Sequence, residues 1–205
     1  MMATRQALLL IDLQNDFCSG GALAVKDGDD TLAIANLYAA EFSQRQQPVV
    51  ATIDWHPASH GSFASNAGHQ PWTEGELAGL PQVWWPDHCI QHSYGAELHP
   101  ALEQRYITER VYKGDDPLID SYSGFFDNGR RKKTRLDSVL KAQGITALTV
   151  MGLATDYCVK YSVLDALALG YTVTVLSAGC RGVNLAAGDA ERALEEMATK
   201  GAIVL

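Results

Sequence analysis

The chain has little that would tie it to nucleic acid, to a membrane or to the cell exterior. Lys and Arg number 16 against 24 Asp and Glu, a formal charge of -8 over 205 residues, which repels polyanions and anionic lipid. No apolar run is long enough to span a bilayer. The opening "MMATRQALLLIDLQNDF" has an apolar stretch, but Asp12 and Asp16 interrupt it and no small-residue cleavage site follows, so it does not read as a signal peptide. Cysteine is scarce: Cys18, Cys89, Cys158 and Cys180 are widely spaced. That usage points to reduced thiols in a cytoplasmic protein rather than to a disulfide framework. Positive charge is concentrated in one place, "GRRKKTR" at 129–135, which reads as a solvated loop ahead of the amphipathic "TRLDSVLKAQG".

What is present is an alternation of short apolar runs and helical patterns, in a length that suits one domain over residues 1–205. "QALLLID", "PVVATID", "RYITERV", "ITALTVMGL", "YTVTVL" and "AIVL" read as six strands. Between and beside them "DTLAIANLYAAEFSQRQ", "ELHPALEQ", "TRLDSVLKAQ", "TDYCVKYSVLDALALG" and "AAGDAERALEEMATKG" read as helices. Runs such as LLLI and ALTV are apolar on both faces, which requires a sheet covered on both sides. The expectation is a Rossmann-like α/β three-layer sandwich with a six-stranded, mainly parallel sheet. Two connections, 54 to about 96 and 113 to 133, are too long for ordinary loops of a compact domain and read as functional.

In such a sheet ligands lie beyond the carboxyl ends of the strands. Asp12 closes the first strand, Asp54 and His56 the second, Lys113 follows the third, and Cys158 opens the helix after the fourth. With Thr155 as its cap, that helix would hold Cys158 in its first turn, where free N–H groups and the helix dipole favour a thiolate. Val159, Val163, Ala166 and Leu167 form its apolar stripe, whereas Cys158 shares a face with Ser162 and Asp165. A lone cysteine is ordinarily a small buried hydrophobe. A carboxylate and an ammonium at neighbouring strand ends shift the balance towards a nucleophile, with Asp12 as proton acceptor and Lys113 holding both groups. No histidine is placed to serve as that base. In "DWHPASH", Asp54 and His56 point the same way in an extended chain, and "WWPDHC" offers His88 as a third ligand for Zn, Fe or Mn. His60 is a further ligand or a supporting group. Phe17 and Trp85 are either loop packing or a sandwich for a flat ring.

Together "LLLIDLQNDF", "DWHPASH", "WPDHC", "VYKG" and "GLATDYCV", in this order along nearly the whole chain, resemble the nicotinamidases (pyrazinamidases) of the isochorismatase-like cysteine hydrolases. The resemblance implies an Asp12, Lys113 and Cys158 triad, and one divalent ion on Asp54, His56 and His88, with His60 less secure. It also implies an oxyanion hole from the N–H groups of Ala154 and Cys158, a cis Leu153–Ala154 peptide, and ring contacts from Phe17 and Trp85. The activity implied is hydrolysis of nicotinamide to nicotinate and ammonia in NAD salvage, extending to pyrazinamide, with a small molecule as partner and a homo-oligomer allowed. Two rivals differ in kind: a hydrolase of the same fold acting on another carboxamide, a carbamoyl compound or a vinyl ether, and a metal- or ligand-binding relative without turnover. Ammonia release separates the last of these from an enzyme.

Overall fold

The computed structural model describes residues 5–205; the first four residues of the expected domain, which also begin the stretch read as lacking a signal peptide, lie outside the described residues. The chain runs β1 (Gln6–Ile11), α1 (Asp30–Gln44), β2 (Val49–Asp54), a single turn α2 (Ala64–Ala67), β3 (Glu74–Leu77) and β4 (Leu80–Val83). It continues through β5 (Glu109–Lys113), α3 (Leu136–Ala142), β6 (Ala147–Leu153), α4 (Lys160–Ala168), β7 (Thr172–Arg181), α5 (Asp189–Thr199) and β8 (Ile203–Val204).

All six expected strands lie in one sheet, ordered β5-β2-β1-β6-β7-β8, and every pairing in it is parallel. The runs that looked apolar on both faces are so because they are central: β2 and β6 are buried at every position. Right-handed crossovers put α1 on one face and α3, α4 and α5 on the other, since the chain moves outward from β1 to β2 and β5 and then returns to β6 on the opposite side of β1. The order therefore reverses between β1 and β6, and the crevice above that reversal is where an α/β sheet presents its ligand. At this seam the strands run close: a Cβ on Gly152 of β6 would collide with the backbone of Ile11 in β1.

Three local expectations change. "ELHPALEQ" forms no α-helix, because Leu98 bridges to Gln14 and the His99 N–H bonds Leu13 O at 2.9 Å, which pins the segment as an extended strap beside the end of β1. The third strand starts at Glu109, after a short 3₁₀ turn at Gln104–Tyr106. The long 54–96 connection contains the hairpin β3–β4, turned by Ala78 and Gly79 at φ 55° and 80°, both left-handed as a tight two-residue hairpin requires. The basic loop is exposed and largely paired within the chain: Arg130 with Asp165, Lys132 with Asp115 and Arg135 with Glu109. Among the described residues no helix is long and apolar enough to cross a membrane, and all four cysteines are free and buried.

Candidate active site

Parallel register brings the strand-end residues together. β1 lies beside β2 with Ile11 opposite Thr52, and β2 lies beside β5 with Asp54 opposite Lys113, so Asp12, Asp54 and Lys113 emerge at one level of the sheet. Lys113 is fully buried, and its ammonium reaches Asp12 Oδ2 at 2.9 Å, Asp54 Oδ1 at 3.0 Å, the Ser121 carbonyl at 2.9 Å and Cys158 Sγ at 3.5 Å. Asp12, at φ 50°, turns back over the strand ends; its Oδ1 accepts the Thr52 hydroxyl at 2.6 Å. The three residues of the expected triad are thus in mutual reach in a buried cluster.

Cys158 differs from its expected setting in two ways. Ala154 rather than Thr155 precedes the helical turn, and Thr155–Val159 winds as a π-turn before α4 begins. The face shared with Ser162 is buried as well, since Ser162 Oγ accepts the Gly124 N–H at 2.8 Å and Cys158 faces the cluster rather than solvent. Burial pushes its thiol well above the usual range, against the attraction of Lys113, so desolvation opposes the thiolate that the helix end favours. Burial also raises the Asp12 carboxyl, against Lys113 and with help from the charge of Asp54. Burial opposes the Lys113 charge, but Asp12 and Asp54 overcome it and hold the ammonium well above its ordinary range. The cluster thus joins a thiol raised by burial, a carboxyl of raised basicity and an ammonium stabilised by two carboxylates. The Leu153–Ala154 peptide ahead of the turn is cis.

Beside the triad, Asp54, His56 and His88 bring one donor atom each within 4.8 Å of one another, all buried. The loop is folded onto the end of β2 by backbone bonds from His56 N to Cys89 O (2.9 Å) and Gln91 N to His56 O (2.8 Å), which delivers His88. Each imidazole faces a backbone carbonyl through Nδ1, His56 to Gly114 O at 2.8 Å and His88 to Pro86 O at 2.7 Å. Those carbonyls require Nδ1–H, the usual way a protein fixes a metal-binding tautomer. Both Nε2 atoms then aim lone pairs at the same carboxylate oxygen, Asp54 Oδ2, from 2.8 and 3.3 Å. Such a convergence of lone pairs on a buried anion calls for a cation. His60 supplies a further hint: its Nε2 is buried without a hydrogen-bond partner, although it groups with His56 and Asp120 rather than with His88. Gly114 must stay glycine here, for at φ 75° a Cβ would stand 2.5 Å from His56 Cε1.

One small pocket joins the two halves of the site. Phe17, Trp85, His88, Asp54, Ala154 and Cys158 all line it, so the sulfur, two of the three candidate metal donors and both expected ring contacts share one cavity. Sequence reasoning missed several supports. Gln14 grips the backbone of Asp54 from both sides, its Nε2 donating to Asp54 O at 2.7 Å and its Oε1 accepting Asp54 N–H at 2.8 Å. Asp156 accepts the Val183 and Asn184 N–H groups at 2.9 and 2.8 Å, which holds Val183 at the pocket rim. Ser121 and Tyr122 come from the 113–133 loop, whose length was the only signal for them.

The fold and site agree with comparisons to known proteins. The Isochorismatase domain model matches residues 6–205. A nicotinamidase of Escherichia coli (strain K12) is 58% identical, the match covering 96% of this chain and 92% of that protein. The structure of an Acinetobacter baumanii nicotinamidase pyrazinamidase is 38% identical and superposes with a TM-score of 0.93 over 100% of this chain and 97% of that one. A Pyrococcus horikoshii pyrazinamidase, solved in complex with zinc, is 35% identical with a TM-score of 0.81, covering 98% of each chain. With sheet order, buried cysteine cluster and sequence in accord, the chain belongs to the isochorismatase domain family.

Proposed function

We propose that the chain hydrolyses nicotinamide to nicotinate and ammonia through a thioester on Cys158, and that it accepts pyrazinamide as a close isostere. The observation that carries this reading is the single pocket in which Cys158 Sγ, the metal donors Asp54 and His88, and the aromatic walls Phe17 and Trp85 meet. The 58% identity to a nicotinamidase supports the substrate.

The chemistry follows from the cluster. Nicotinamide lies flat between Phe17 and Trp85 with its carboxamide at Cys158. As sulfur attacks the amide carbon, the thiol proton passes to Asp12, whose raised basicity suits it to the task. Lys113 keeps Asp12 and the sulfur in register and stabilises the charge that moves between them. The N–H groups of Ala154 and Cys158 receive the developing oxyanion. The C–N bond then breaks, and Asp12 returns its proton to the departing ammonia. Water, activated by the same carboxylate, attacks the thioester; nicotinate leaves and the thiol is regenerated. Asp54, His56 and His88 would hold a divalent ion of the zinc, iron or manganese type, with His60 nearby as a further donor or a support, and such an ion would supply a Lewis-acidic partner for the ring nitrogen. A single domain, free thiols and a soluble small-molecule substrate fit a cytoplasmic role in pyridine-nucleotide salvage.

The test compares nicotinamide with benzamide, which has the same carboxamide and ring shape but no ring nitrogen. With divalent metal present, the protein should release ammonia from nicotinamide with a kcat/KM about a hundredfold higher than from benzamide, within the range set by the cost of about 1–3 kcal/mol for leaving a buried polar group unmatched. His56→Ala and His88→Ala should lose bound metal, raise KM more than they lower kcat, and narrow that gap. Equal rates on both substrates with metal present would show that the donor set does not read the ring nitrogen.

A further inference from the structure

Behind the pocket lies a second, larger cavity that none of the proposed chemistry uses. Leu80, Pro81, Ser123 and Tyr161 line it together with the ion-paired Arg130 and Asp165. Tyr122 is the one residue, among those described, that lines both spaces. Its ring is bracketed by two others: Tyr157 on the pocket side, with centroids 5.2 Å apart, and Tyr161 on the outer side, at 5.4 Å. It is braced at both ends. The Tyr122 N–H donates to Asn128 Oδ1 at 3.0 Å, and its hydroxyl accepts Trp85 Nε1–H at 3.3 Å and Gln82 Nε2–H at 3.4 Å. Trp85 is the ring-stacking wall of the proposed reaction, so a phenol held on its indole N–H stands at the rim of the bound ring.

We infer that the Tyr122 ring is the partition that sets the size limit for ring substituents, and that the cavity behind it is a latent subsite for an alkyl or aryl group on a pyridine carboxamide. This inference rests on the proposed reaction. The bulk of the ring does the excluding, held where it is by its two aromatic neighbours and by the two N–H groups that donate to its hydroxyl. The outer cavity has the chemistry to receive such a group: Leu80, Pro81 and the Tyr161 face are apolar, the charges of Arg130 and Asp165 offset each other, and Asp127, the third charged residue of the lining, accepts the backbone N–H groups of Gly129, Arg131 and Lys132.

The experiment uses the full chain with metal bound and a set of nicotinamides bearing a butyl or phenyl group at each free ring carbon in turn. In Tyr122→Ala, kcat/KM for at least one substituted amide, relative to nicotinamide in the same variant, should rise by about tenfold or more over the wild-type ratio, the range that one pocket contact commands. Tyr122→Phe removes the hydroxyl but keeps the ring and should leave the ratio near wild type. Adding Tyr161→Trp to Tyr122→Ala refills the outer space and should take the gain away. If Tyr122→Ala is unstable, Tyr122→Leu makes the same comparison. An unchanged ratio across the whole set in a variant that still turns over nicotinamide would overturn the inference, as would a gain in Tyr122→Phe equal to that in Tyr122→Ala. Failure of the wild type to release ammonia from nicotinamide would instead strike the proposed reaction itself.

Discussion

Cys158→Ala is expected to reduce ammonia release from nicotinamide by several orders of magnitude, about the loss seen when the nucleophile of a covalent hydrolase is removed, while the protein stays folded. Both halves of the expectation come from the geometry. The sulfur faces the Asp12–Lys113 cluster, where Lys113 Nζ approaches it at a long 3.5 Å. Deleting it removes one buried atom, at a cost of about 1 kcal/mol, and leaves Lys113 its other three oxygen partners. Ammonia release and the urea midpoint of the same preparation are the paired readouts. Appreciable turnover in the folded variant would remove sulfur from the mechanism.

Lys113→Met should fail in both respects. The ammonium is wholly buried between two carboxylates, and removing it strands the charge of Asp12 and takes from Asp54 its ammonium partner. Breaking a buried pair by deleting one partner costs about 3–5 kcal/mol, and the loss should appear as a lower urea midpoint with the slope unchanged. Turnover should also collapse, because nothing then holds the Asp12 carboxylate and the Cys158 sulfur in register. A variant with wild-type midpoint and rate would mean that Lys113 neither balances these charges nor serves the reaction. Comparison with Cys158→Ala separates the two roles: one variant loses chemistry alone, the other chemistry and stability together.

Much of the site could be read from the chain because strand ends are conspicuous. Asp12, Asp54 and Lys113 each follow an apolar run, and the rule that parallel sheets bind ligands at carboxyl ends needs nothing beyond that order. Cys158 stood out through its place after the fourth run. What the sequence did not disclose depends on contacts between distant segments. Gln14 lies 40 residues from the backbone it grips, and only the parallel register of β1 against β2 joins them. Asp120, Ser121 and Tyr122 lie in a loop without periodicity, and the β3–β4 hairpin is too short and too polar to alternate visibly. The "ELHPALEQ" error has the same origin: its helical pattern is real, but pairing to Leu13 and Gln14 held it extended. The burial that raises the Cys158 thiol is hidden in the same way, for helix position is visible in a sequence whereas burial of a side chain is not.

The central claim is that nicotinamide passes through a thioester, and hydroxylamine partitioning tests it most directly. Hydroxylamine is close to water in size and far more nucleophilic, so it should intercept an acylated Cys158 wherever water does. Added to the metal-bound protein at saturating nicotinamide, it should divert product from nicotinate to nicotinohydroxamate in proportion to its concentration, while each molecule of either product is matched by one ammonia. Undiminished nicotinate and ammonia, with no hydroxamate at any hydroxylamine concentration, would contradict the account and point to direct attack of water on the amide.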